Sequence, residues 1–187
     1  MKFLPTEIPE VVLVEPQVFR DGRGFFLETW HADRWAEGGI PRGFVQDNHS
    51  RSARGTLRGL HSQQAPHAQG KLVRVTEGEV WDVAVDVRRG APSYGRHVGV
   101  TLSAENFRQL WIPPGFLHGF CVLSACAQVE YKCTAFYAPA DELGVVWDDP
   151  DLAIPWPVQE PVLSEKDRRA PRLRDVLERL PRYEGQP

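Results

Sequence analysis

No part of this chain runs far without a turn signal, and the runs between the signals are short and β-prone. Residues 71–76 and 79–87 are parted by Glu77-Gly78, the composition of a tight turn. A turn at Asp21-Gly22-Arg23-Gly24 precedes a strand over 25–30, and Pro113-Pro114-Gly115 separates strands at 109–112 and 119–123. Further strands are expected at 11–14, 44–50 and 97–102, and over 129–137 apolar and polar residues alternate best. Many short strands at near-regular spacing indicate an all-β chain whose sheet closes into a barrel or folds into two layers. Helix is confined to two short pieces. One lies near Asp33 and stops at Gly38-Gly39. The other follows Arg172 and aligns Leu173, Val176, Leu177 and Leu180 on one face.

At 187 residues the chain fits one domain, 1–187, with a barrel core over roughly 19–147 and a segment 150–187 packed against it. That is long enough to bury a core without disulfide staples. A net charge of −3 argues against bulk electrostatic binding to nucleic acid, so any anion site must be a local basic cluster. Cys121, Cys126 and Cys133 form no CxxC pair, which points to reduced thiols and a cytoplasmic location. No stretch approaches the roughly 20 apolar residues of a membrane span, and the first residues carry no signal-like apolar run.

The chemistry concentrates in 54–74, RGTLRGLHSQQAPHAQGKLVR. Arg58, His61 and Lys71 sit there between two strand-like flanks joined by a polar turn with Pro66 and Gly70, so a β-hairpin is expected to carry all three at one rim. A guanidinium, an imidazole and an ammonium suit an anionic substrate whose carbonyl chemistry needs a base. In a regular strand Arg58 and His61 face opposite sides, so a bulge or break at Gly59 is predicted. On strand 129–137, Val129, Tyr131, Cys133, Ala135 and Tyr137 share one face, with the two tyrosines about 20 Å apart at 3.3 Å per residue. Asp82 and Asp86 share a strand face and suggest a polar lumen wall.

Pro113-x-Gly115-x-x-His118 resembles the second signature of the cupin barrels, whose histidine is often a metal ligand. The first signature needs an HxH pair and a Glu, whereas this chain offers only His61 and then His67. The ligand set is incomplete, and no metal or other cofactor is expected.

Successive blocks, FRDGRGFFLE, QDNHSRSARGTLRGLH, KLVRVTEGEVWDVAVDVRRGAPSYG, LSAENFRQLWIPPGFLHGF, EYKCTAFYAP, WDDPDLAIPWP and LSEKD, resemble the dTDP-4-dehydrorhamnose 3,5-epimerases in order and spacing from about Phe19 to Asp167. The resemblance implies a cupin-type jelly-roll barrel with a few short peripheral helices, a homodimer, no metal and a dTDP-4-keto-6-deoxy sugar as substrate. It makes His61 the base, Tyr131 the proton donor on the other face of the sugar, and Asp167 the carboxylate that orients His61. From the residues alone, Ser164-x-x-Asp167 reads first as a capping box. Lys71 becomes the cation beside the enolate oxygen, and Arg58 and Arg23 contact the substrate. Tyr137 stacks on the thymine. Gln46, Asp47, Asn48, Glu28, His118, Glu142 and Lys166 line the nucleotide side. Ser62 departs from the aromatic residue common after the histidine, and the residues do not separate a C3,C5-epimerase from a C3-only or C5-only one. Two other readings are a metal-dependent cupin oxygenase using His61, His67 and His118, and a sugar-nucleotide binding module without chemistry.

Overall fold

The computed structural model of the protein describes residues 1–185. Thirteen strands follow in order: β1 (Lys2–Pro5), β2 (Val12–Glu15), β3 (Val18–Asp21), β4 (Gly24–Leu27), β5 (Gln46–Ala53), β6 (Leu57–Gln63), β7 (Lys71–Glu77), β8 (Glu79–Asp86), β9 (His97–Ser103), β10 (Gln109–Ile112), β11 (Phe116–Val122), β12 (Cys126–Cys133) and β13 (Glu142–Gly144). Helix α1 (Ala32–Ala36), helix α2 (Glu165–Arg168) and 3-10 turns at Pro139–Asp141 and Leu173–Arg179 are the remaining elements among the described residues.

A six-stranded sheet in the order β1-β2-β10-β7-β12-β5 faces a five-stranded sheet in the order β13-β6-β11-β8-β9. The strands of each pair antiparallel, and β3 and β4 form a separate hairpin. Alternation decides what lies between the layers. Val73, Val75, Leu110 and Val129 from one sheet pack with Val80, Ala84, Phe116 and Phe120 from the other. Each buried Val, Leu or Phe side chain among them is worth roughly 1.5–3 kcal/mol. The inward positions that remain are polar, and they line a cavity.

The outer faces are covered separately. Val83, Val85 and Leu117 pack under Leu152, Leu173, Val176 and Leu180 of the C-terminal segment, while Trp35 and Ile40 around α1 cover Leu72 and Trp111.

Several expectations need correction. The segments flanking 64–70 do not form a hairpin: β6 and β7 lie in different sheets, and the turn crosses the sandwich. Strand β12 stops at Cys133, opposite Gln46 and Lys71, where its partners β5 and β7 both begin. With no ladder to join, 134–138 leaves the sheet, so Tyr137 is on a loop. The piece after Arg172 is a 3-10 turn, whose three-residue period buries Leu173 and Val176 but leaves Leu177 exposed.

Candidate active site

Two adjoining hollows, of about 540 and 270 Å³, open between the sheets and share Asn48, His61, Lys71 and Tyr131. Arg58, His118 and Asp167 line the larger; Gln46, Tyr137 and Glu142 line the smaller. The volumes lie in the range of small-ligand sites.

Arg58 and His61 both face inward because β6 is irregular where expected. His61 pairs with His118 and Arg58 with Phe120, so Gly59 and Leu60 oppose the single residue Gly119. Gly59 has φ +130°, and a Cβ there would lie 2.6 Å from the Gly119 Cα, so only glycine fits. The Arg58 Nε donates to the Ser52 Oγ at 3.0 Å, which directs the guanidinium into the cavity.

His61 Nε2 lies 2.5 Å from the Asp167 Oδ1. Asp167 is nearly sealed from solvent, whereas 29% of the His61 side chain remains accessible. The capping reading of Asp167 holds as well: its backbone N–H donates to the Ser164 Oγ at 3.1 Å and opens α2. The cap fixes the backbone and frees the carboxylate for the imidazole. Burial pushes the Asp167 carboxyl up, but the bond and charge of His61 outweigh it and hold the group below the usual range.

Tyr131 and Lys71 stand on the facing sheet, at adjacent inward positions of β12 and β7. The Lys71 Nζ lies 5.9 Å from the Tyr131 ring centroid. Among the described residues Lys71 has no ion-pair partner. Burial pushes its amine down, and the Asp82 and Glu142 carboxylates, with the Cys133 thiol where it ionises, offset only part of this. Burial raises the Tyr131 phenol, Cys133 adds to the rise, and Arg58 pulls against it, so the phenol stays protonated well above neutral pH.

His118 lines the larger hollow and not the smaller one. It is buried, its Nε2 bonds both Asp82 oxygens at 3.1 and 2.9 Å, and its ring meets Tyr131 edge-on at 6.5 Å. Asp82 is fully buried, and His118 is what it is bonded to. At the rim, Glu142 pairs with Lys166 and accepts from the Tyr137 hydroxyl at 3.4 Å. Tyr137 is about half exposed. Gln46 and Asn48 face inward and are bonded to each other at 3.1 Å.

Three expected residues are elsewhere in this chain. Asp47 is odd in a strand whose even positions face inward, and it pairs with Lys132 on the outer face. Glu28 pairs with Arg34. Arg23, its side chain 91% exposed, pairs with Asp21 at the tip of the β3–β4 hairpin. The three histidines of the metal reading do not converge: His67 bonds Asp141 at 2.6 Å, and the other two hold different carboxylates. Among the described residues no three metal-ligating side chains gather at one point. Residue-type reasoning did not single out Ser52, or Gln63, which is largely buried and lines the smaller hollow. The Gln46-Asn48-Ser50-Ser52 alternation is the signal that could have found Ser52.

Sheets in this order, closed around a cavity with an imidazole–carboxylate pair on one wall and a phenol and amine on the other, define a cupin-type barrel equipped for proton transfer. The chain belongs to the dTDP-4-dehydrorhamnose 3,5-epimerase family, whose model matches residues 5–175. It is 58% identical over 178 residues to a dTDP-4-dehydrorhamnose 3,5-epimerase of Pseudomonas aeruginosa, covering 94% of this chain and 98% of that one. A Legionella pneumophila dTDP-6-deoxy-D-glucose-3,5-epimerase, crystallised in complex with dTDP-4-keto-L-rhamnose, superposes with a TM-score of 0.94 at 52% identity, over 98% of this chain and 99% of that one. A Streptomyces niveus dTDP-4-dehydrorhamnose 3-epimerase is 40% identical over 186 residues, covering 98% of this chain and 90% of that one.

Proposed function

We propose that this enzyme inverts C3 and C5 of dTDP-4-dehydro-6-deoxy-D-glucose to give dTDP-4-dehydro-L-rhamnose, with His61 as base and Tyr131 as acid. The observation that carries the residue roles is their placement on opposite walls of one cavity. A 4-ketone acidifies the hydrogens on both neighbouring carbons. The bond of Asp167 to Nε2 leaves Nδ1 of His61 with the lone pair that removes such a proton. The C–H electrons move into the ring as an enolate. The Lys71 ammonium neutralises the developing oxygen charge, and Asp167 steadies the imidazolium. Tyr131 returns a proton to the opposite face of the carbon, inverting it, and regains one from solvent while His61 releases its own. Repetition at the second carbon completes the reaction.

Arg58 at the mouth of the larger hollow suits the diphosphate, and Tyr137, Gln46, Asn48, Glu142 and Lys166 surround the place left for the base. The 58% identity to a 3,5-epimerase, against 40% to a 3-epimerase, favours action at both carbons. Incubation with substrate in heavy water tests this by NMR. Deuterium at C3 and C5 is expected; deuterium at C3 alone would reassign the chain to the 3-epimerases.

The chain works as one epimerase domain with its C-terminal segment packed on it. Its working form is a homodimer. The β3–β4 hairpin carries exposed Phe19, Phe25 and Phe26 around Arg23, a surface suited to a second copy of this chain and able to bring Arg23 and Glu28 to that copy's site. A monomer by light scattering would contradict it. Three free thiols fit a reducing cytoplasm, and a net charge of −3 fits no role for nucleic acid. Among the described residues no helix is long and apolar enough to cross a membrane.

A further inference from the structure

The loop that carries Tyr137 is held in an unusual way. Beyond Cys133 the ladder has ended, yet the backbone of 135–138 is tied down at four points, each by a glutamine side chain. Gln69 Nε2 donates to the Ala135 carbonyl at 2.7 Å, and Gln63 Nε2 donates to the Phe136 carbonyl at 2.9 Å. The Tyr137 N–H donates to the Gln46 Oε1 at 2.8 Å, and the Ala138 N–H donates to the Gln63 Oε1 at 3.0 Å. The glutamines come from β5, from β6 and from the 64–70 crossover, so both sheets and their connection grip one loop. Gln63 is the centre of the grip. It is buried, and its amide also donates to the His67 carbonyl at 2.5 Å, joining the crossover turn to the Tyr137 loop. Among the described residues no other side chain bonds the backbone of 135–138. Phe136 and Tyr137 themselves are mostly exposed, so apolar packing does not fix the loop.

We propose that Gln63, assisted by Gln69, is a positioning residue that sets nucleotide affinity by presenting Tyr137 to the base. This rests on Tyr137 being the platform for the nucleobase. An amide is required here because the loop offers both carbonyls and N–H groups, and a side chain with a donor and an acceptor at its tip satisfies both. An apolar residue of the same length leaves the Phe136 carbonyl and the Ala138 N–H without their partner, and the loop then rearranges toward water.

The test is a double-mutant cycle on the full-length enzyme, reading dTDP affinity by calorimetry and kcat and KM by NMR. Gln63→Met and Tyr137→Ala should each weaken dTDP by about tenfold or more, the loss of one base–aromatic stack. The double variant should be no weaker than Tyr137→Ala alone. In Gln63→Met, KM for the dTDP-sugar should rise in step while kcat changes far less. Gln69→Ala, which cuts one outer tie, should show the same pattern in milder form and serves if Gln63→Met does not fold. Weakening by Tyr137→Ala but not by Gln63→Met or Gln69→Ala overturns the positioning role and leaves the platform intact, as do losses that add in the double variant. Unchanged dTDP binding in Tyr137→Ala removes the platform itself, and the positioning role with it.

Discussion

Two histidine–aspartate pairs stand side by side at the cavity, and they differ in one respect that matters. His61 and His118 are register partners on β6 and β11. Asp82 reaches His118 from the next strand, β8, and both side chains are almost wholly enclosed, at 7% and 0% exposure. Asp167 reaches His61 from the far C-terminal segment, and that imidazole keeps 29% of its surface open to the cavity. The chemistry of the pairs is the same; access is not. A pair enclosed on nearly every side holds a geometry, whereas one whose imidazole stays accessible can exchange a proton with whatever occupies the cavity.

Substitutions sharpen the contrast. The largest effect is expected from Tyr131→Phe, which removes the acid facing the open pair and should lower kcat by roughly 10²–10⁴-fold, read by NMR turnover. Asp167→Asn should lower kcat by about 10- to 100-fold, the worth of a hydrogen bond to a charged group. If Asp82→Asn lowered kcat as much as Asp167→Asn, the distinction between the two pairs would fail; it should instead cost about 1–3 kcal/mol of stability in thermal unfolding, with a smaller change in kcat.

The pH dependence should also divide the site. The Lys71 amine is pushed down by burial while the Tyr131 phenol is pushed up, so the alkaline limb of kcat belongs to Lys71 and lies below the usual lysine range. Lys71→Arg, which cannot lose its charge, should move that limb upward in a pH–rate profile. The smallest effect concerns acid stability. The Asp167 carboxyl is held below its usual value, so its contribution is complete above an unfolded pKa of about 3.9 and is lost as pH falls through the lower folded value. Acid unfolding of Asp167→Asn should lack that contribution, and the two proteins should converge in stability at the lowest pH.

How far the sequence could be read follows the range of each interaction. The turn at Asp21–Gly24 and the break at Glu77-Gly78 were legible because turn residues specify themselves locally, but the strand before the first turn was not expected, and β7 and β8 on either side of the second enter different sheets rather than pairing as a hairpin. The irregularity at Gly59 was legible because two inward side chains at odd spacing demand it. The proposed β6–β7 hairpin failed because turn composition does not say which sheet the chain enters next. Tyr137 was placed on a strand because alternation continues past Cys133, but a strand ends where its partners end, and Gln46 and Lys71 are far off in sequence. The same distance hid the His118–Asp82 bond and the glutamines around the Tyr137 loop. Asp167 shows both scales at once: its cap is written in Ser164-x-x-Asp167, while its partner lies 106 residues away.

The central claim is that the open pair, and not the sealed one, moves the proton. Exchange of deuterium from heavy water into C3 and C5 of the dTDP-sugar, followed by NMR with His61→Ala folded as the wild type, addresses it most directly. Exchange at both carbons should fall by roughly 10²–10⁴-fold. Exchange at the wild-type rate at either carbon would contradict the assignment of His61 as the base there.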